Sequence, residues 1–190
     1  MSARRVATAD LLSGLRLVAA PVLPLVALRP RAFLALAALG GVTDALDGPV
    51  ARRAGTAGPR GAVVDSVADV AFFGGLVAAC LRAQPERARS LTPAVVAVAA
   101  VRGCAAATGV VRWGRPVLLH TWSNKAAGVG AGVGLACLTA WGRRGPLAAA
   151  SLVAAGAAAE ELWRVVTAAQ MPDVDAPGVL GWVASRLARP

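Results

Sequence analysis

The sequence predicts an all-α integral membrane bundle of six transmembrane helices, and three observations predict it. Hydrophobic residues make up 57% of the 190 positions and charged residues only 16%. The mean hydropathy of +0.62 lies far from the balance of an ordinary soluble domain. Apolar runs recur at about 17–25 residues, the length that crosses a bilayer as a helix. Short stretches rich in Arg, Pro and Gly separate them, as in "RPR", "RRAGTAGPR", "RAQPERAR", "RWGRP" and "GRRGP". A soluble helical protein would need polar residues to coat its outside, and they are missing.

The first span, 11–28, follows "MSARR", which reads as a short interfacial N-terminal segment. Arg16, Pro21, Pro24 and the five later spans mark it as a retained helix, not a signal peptide. The second span, 32–51, runs into "GPVARR". The third, 61–82, opens after a turn in which Pro59 suits a first helical position. The fourth, fifth and sixth cover 92–111, 121–141 and 146–168. "GVGAGVGLA" in the fifth suits close helix packing in lipid. The tail "PGVLGWVASRLARP" alternates apolar and basic positions at helical spacing and is expected on the membrane surface. Nothing remains for a second domain, so residues 1–190 form a single membrane domain.

Trp113, Trp122, Trp141 and Trp163 fall near span ends, where interfacial anchoring explains them. Cys80, Cys104 and Cys137 lie in different spans with no CxxC pair, and are expected to be small buried hydrophobes. The formal charge of +10 would suit nucleic acid, but the arginines cluster at helix ends, so a membrane partner is expected and no nucleic acid. Placing the N-terminus inside puts Arg4, Arg5, Arg52, Arg53, Arg60, Arg112, Arg115, Arg186 and Arg189 on the cytoplasmic side and Arg29, Arg31, Arg82, Arg87, Arg89, Arg143 and Arg144 outside, a modest bias of the positive-inside sign.

Four of the ten acids, Asp44, Asp47, Asp65 and Asp69, crowd into residues 44–69. Asp44 and Asp47 share a helix face by their spacing of three, and Asp65 and Asp69 by their spacing of four. If the second helix ends near Arg52 and the third begins near Pro59, all four lie roughly 7–15 Å inside an antiparallel hairpin. Each charge at membrane depth costs at least about 2.5–3.5 kcal/mol before mutual repulsion. Protonation or divalent cations relieve that cost, and an all-oxygen donor set suits Mg²⁺ or Mn²⁺. Arg52 is placed to contact phosphate, and Gly48 and Gly61 let a ligand approach backbone. A diphosphate site accounts for all of these, whereas a small cation or proton transporter would use the aspartates but need neither Arg52 nor the glycines.

Written out, the stretch is Asp44-x2-Asp47-Gly48-x2-Ala51-Arg52-x8-Gly61-x3-Asp65-x3-Asp69. It resembles the signature of the CDP-alcohol phosphatidyltransferase family at every fixed position. "DLLSGLR" at 10–16 is similar to the family's N-x-x-T-x-x-R opening of helix 1, with Asp10 and Ser13 as replacements and only Arg16 carried over. The resemblance implies a six-helix enzyme of phospholipid synthesis, a homodimer in the cell (inner) membrane with its active site facing the cytoplasm. It implies transfer of a phosphatidyl group from CDP-diacylglycerol to a small alcohol or alcohol phosphate, with release of CMP. By the same resemblance Asp44, Asp47, Asp65 and Asp69 bind metal, Asp69 is also the base that deprotonates the acceptor hydroxyl, and Gly48, Ala51, Arg52 and Gly61 line the CDP pocket.

For the acceptor, Lys125 stands out as the only Lys of the chain, in "HTWSNKAAG" beside the only His, His120. It is similar to a lysine that family members carry near the start of helix 5. Arg102 is a cation inside the fourth span and needs a partner. With Arg112, Arg115 and Lys125 it would form a basic sub-pocket for a phosphorylated acceptor. Of Glu160 and Glu161, one is expected to face the cavity and the other to pair with a cation; a contribution from Glu161 would favour an uncharged or amino alcohol.

Overall fold

The computed structural model describes residues 3–54, 59–114 and 121–169, without the side chains of 3–10, 12, 46–54, 59–63, 66 and 122. Every regular element among them is a helix: α1 (Ala3–Val26), α2 (Pro30–Ala54), α3 (Pro59–Ala83), α4 (Pro85–Arg89), α5 (Thr92–Trp113), α6 (Trp122–Trp141) and α7 (Gly145–Thr167). Proline sets most of the starts. Pro30, Pro59 and Pro85 open α2, α3 and α4, and Pro93 and Pro146 fall in the first two positions of α5 and α7. A first-turn N–H has no intrahelical partner, so proline loses nothing there and its fixed φ favours the helix. Glycine sets two of the ends. Gly114 and Gly142 adopt φ of 73° and 65° and donate their N–H to Val110 and Leu138 at 2.9 and 2.8 Å, the left-handed stop that a Cβ would disfavour.

The long helices match the expected spans to within three residues at every end but one. That exception is a correction: α1 begins at Ala3, so the segment expected to precede it at the interface is its first two turns. "ARRVATAD" holds neither Gly nor Pro and several strong helix formers, so nothing stops the helix from extending. The connection "RAQPERAR" also contains the short helix α4. The expected surface tail lies outside the described residues. A second correction concerns the cysteines. Cys80 is buried and Cys137 partly so, but Cys104 is exposed on α5, where a weakly polar thiol is tolerated on an apolar face.

Pro85–Trp113, 29 residues spanning α4 and α5, is the one segment among those described that is long and apolar enough to cross a membrane. α5 alone, at 22 residues, reaches about 33 Å, against roughly 30 Å of bilayer core.

The chain divides into two compact units, Met1–Ala88 with Leu135–Arg143, and Arg89–Gly134 with Arg144–Pro190. In the first, α1 packs on both α2 and α3 around Leu23, Phe33, Ala68 and Ala79, all fully buried. Two glycines allow the close approach. The Phe72 ring occupies the space a Cβ on Gly40 would need, and a Cβ on Gly75 would run into the Ala20 backbone of α1. In the second unit α5 packs on α7. Within "GVGAGVGLA", Gly134 lies against the Leu147 backbone and Gly130 against Ala150, the small-residue contact that lipid favours between helices.

Candidate active site

Asp44 sits ten residues before the end of α2, and Asp69 ten residues after the start of α3. At 1.5 Å per residue both lie about 15 Å from the hairpin, and Asp65 about 9 Å. All three carboxylates meet one side chain from α1. Arg16 donates through Nη1 to Asp44 Oδ1 at 3.0 Å and to Asp69 Oδ1, and through Nη2 to Asp65 Oδ1 at 2.5 Å. Ser13, one turn earlier on the same face of α1, donates to Asp65 Oδ1 at 3.5 Å. Rigid planar fork geometry lets one guanidinium serve several carboxylates at once, which a lysine ammonium does less well.

The burial is asymmetric. The Arg16 side chain is 1% exposed, while those of Asp44, Asp65 and Asp69 keep 56%, 42% and 47% of their surface. The cation is therefore sealed beneath acids that stay accessible from the other side. One guanidinium against three carboxylates leaves a formal charge of −2 among the described groups. Asp47, Gly48, Ala51 and Arg52 occupy the last turns of α2, and Gly61 the first turn of α3; their side chains lie outside the described residues. Among the described residues, no three Asp, Glu, His or Cys side chains are grouped around a common metal position.

The second unit holds most of the residues considered for the acceptor. Arg102 of α5 donates to Asn124 Oδ1 of α6 at 2.5 Å, so the partner this cation needs is an amide. Lys125 is the next residue of α6 and is exposed. Of Glu160 and Glu161, the first has the cation partner expected of one of them. Glu160 pairs with Arg164 at 3.0 Å and accepts from Ser123 at 3.3 Å, while Glu161 is buried at 2% exposure. Arg112 works differently. Its Nη1 donates to the carbonyls of Val165 and Val166 at 2.8 and 2.5 Å, and its Nη2 to that of Ala168 at 2.7 Å. It thereby caps the C-terminal end of α7 and stacks over Trp113 at 4.7 Å. Arg115 and His120 lie outside the described residues.

Arg16 matches the family pattern, which by itself gives it no task. Its signal was an arginine inside an apolar span, which requires a buried partner.

A family model, CDP-alcohol phosphatidyltransferase, matches residues 6–168. The chain belongs to this family. The match runs from the first turns of α1 to the end of α7 and includes both the aspartate hairpin and Arg16. No curated protein and no solved structure matches the chain. As a CDP-alcohol phosphatidyltransferase the protein is an enzyme of phospholipid synthesis, a phosphotransferase that passes a phosphatidyl group from a CDP-alcohol to an alcohol. The family is membrane-associated and generally depends on divalent metal.

Proposed function

We propose that the protein spans the cell membrane as a single six-helix domain and transfers the phosphatidyl group of CDP-diacylglycerol to the hydroxyl of a small alcohol or alcohol phosphate, releasing CMP on the cytoplasmic side. The observation that carries this reading is the convergence of Asp44, Asp65 and Asp69, from two helices, on one buried cation. Membrane insertion is supported by the apolar side chains that α1 and α3 leave outside, among them Leu11, Val18 and Leu25 on one face of α1 and Val67, Val70 and Val77 on α3. A homodimer, as the family resemblance implies, is part of the same reading.

Hard carboxylate oxygens that already gather around a positive charge suit Mg²⁺ or Mn²⁺. Asp44, Asp47, Asp65 and Asp69 would hold it. When bound it would offset the diphosphate charge and make CMP a better leaving group. The residues themselves do the rest. Arg52 would grip a phosphate with two parallel hydrogen bonds. Gly48, Ala51 and Gly61, with little or no side chain, would let the CDP moiety lie close to backbone. Asp69 would take the proton of the acceptor hydroxyl as its oxygen bonds to the phosphatidyl phosphorus and the bond from that phosphorus to the CMP oxygen breaks. A carboxylate so placed typically contributes about 10²–10⁴-fold. Lys125, with Arg102 behind it and Arg115 nearby in sequence, would attract a phosphorylated acceptor, and Glu161 an amino or uncharged one.

The cation or proton transporter reading draws on the same carboxylates, but family membership lends it no support. The test is CMP release by purified protein in detergent, given CDP-diacylglycerol, Mg²⁺ or Mn²⁺ and a panel of alcohols. Release with one alcohol and its loss in excess EDTA are expected. Full release in EDTA would remove the metal from the account, and no release with any alcohol would remove the donor.

A further inference from the structure

Each of the three carboxylates already accepts a hydrogen bond from Arg16. We propose that Arg16 is a resident counterion for the metal site: it neutralises and positions the carboxylates of α2 and α3 in the metal-free protein, and it lowers their affinity for divalent cation by holding the same oxygens. This rests on the transferase reading above, in which those carboxylates are the metal ligands.

Several observations lead there. Arg16 is among the largest fully buried side chains, and a guanidinium in that position without counter-charge would be expensive. Its hydrogen bonds among the described residues lead to site acids and to Ser13: Asp44 at 3.0 Å, Asp65 at 2.5 Å, Asp69, and Ser13 Oγ at 3.5 Å. The acids come from α2 and α3, so one side chain of α1 ties the two halves of the hairpin together. Like charges this close would otherwise push α2 and α3 apart or take up protons. The exposure pattern indicates the direction of exchange. Arg16 is sealed from behind and the carboxylates are open in front, so an arriving cation meets the acids on the side away from the guanidinium. Arg16 therefore does not have to leave, but each oxygen it grips is one the cation must win or do without. The guanidinium is a positioning residue here, acting on the reaction through the carboxylates.

The test is Mn²⁺ affinity of detergent-solubilised full-length protein, read by electron paramagnetic resonance of free Mn²⁺, with thermal unfolding followed in parallel. Arg16→Met keeps length and apolar bulk and removes the charge. It should melt lower than the parent without metal, bind Mn²⁺ at least about tenfold more tightly, and gain more in melting temperature from added Mn²⁺. A purely structural arginine would also lower the melting temperature on removal, but would leave Mn²⁺ affinity unchanged or weaken it. Either of those results overturns the proposal. Should Arg16→Met not fold even in saturating Mn²⁺, Arg16→Lys decides: it keeps the charge but not the fork, and Mn²⁺ should bind more tightly than in the parent, while equal or weaker binding again overturns the idea. A parent that binds no Mn²⁺ at all would instead refute the metal-dependent reading on which this one rests.

Discussion

Gly75 fixes how closely α1 approaches α3, and replacing it tests whether that spacing sets the site. A Cβ added there would stand 3.0 Å from Ala20 Cα and 3.1 Å from Ala20 C, with the Ala20 carbonyl oxygen closer still. Carbon atoms settle at about 3.5–4.0 Å, so Gly75→Ala must force the helices apart by roughly half an ångström or more. Ala20 lies one turn beyond Arg16, and Gly75 lies six residues beyond Asp69, about 9 Å along α3. The displacement therefore reaches the contacts between Arg16 and the acids. Overpacking of this kind costs about 1–3 kcal/mol, offset by about 1 kcal/mol of helix propensity, so the melting temperature should fall only modestly. Catalysis should suffer more, since a shift near 1 Å can cost about 10²-fold; kcat/KM for CMP release should drop about tenfold or more. Gly74→Ala is the control, because a Cβ at Gly74 meets nothing within 4 Å and should preserve both stability and activity. Parent-like activity in Gly75→Ala, or an equal loss in Gly74→Ala, would refute the claim that this contact sets the site geometry.

Arg52→Lys should raise KM for the CDP-lipid about tenfold while leaving the fold intact, since a bidentate phosphate contact does not survive the change; steady-state kinetics against CDP-diacylglycerol checks it. Lys125→Ala and Arg112→Ala should part company in the same assay. The first should raise KM for the alcohol with CDP binding unchanged. The second removes three hydrogen bonds to the end of α7 and should cost about 1 kcal/mol of stability or somewhat more for so exposed a group, read as a lower melting temperature, with both KM values kept.

Helix positions were legible because proline and arginine punctuate long apolar runs, and both signals act locally. The true start of α1 was not, because hydropathy registers where apolar residues begin and "ARRVATAD" is helical without being apolar. The convergence of Asp44, Asp65 and Asp69 followed from helical rise and an antiparallel turn. What sits among them did not: Arg16 is 28 residues from Asp44 and 53 from Asp69, and spacing within one helix says nothing about such a contact. Which of Glu160 and Glu161 is covered also needed three dimensions, since neighbouring residues point about 100° apart on a helix and only packing decides which is buried. Arg112 shows the reverse hazard. A basic residue near a suspected pocket reads as a ligand contact, yet its guanidinium serves the carbonyls that end α7.

The central claim is that the hairpin carboxylates divide between holding the CDP-lipid through metal and activating the acceptor. Calorimetric titration of CDP into Asp44→Asn and Asp69→Asn in Mg²⁺ or Mn²⁺, beside CMP release, tests it most directly. Asp44→Asn should lose binding and turnover together. Asp69→Asn should lose turnover with binding largely retained, because the proposed task of its carboxylate is to take the proton of the acceptor hydroxyl. Equal loss of binding in both would make Asp69 a ligand and send the search for the base elsewhere, and normal CDP binding in both would contradict the metal site itself.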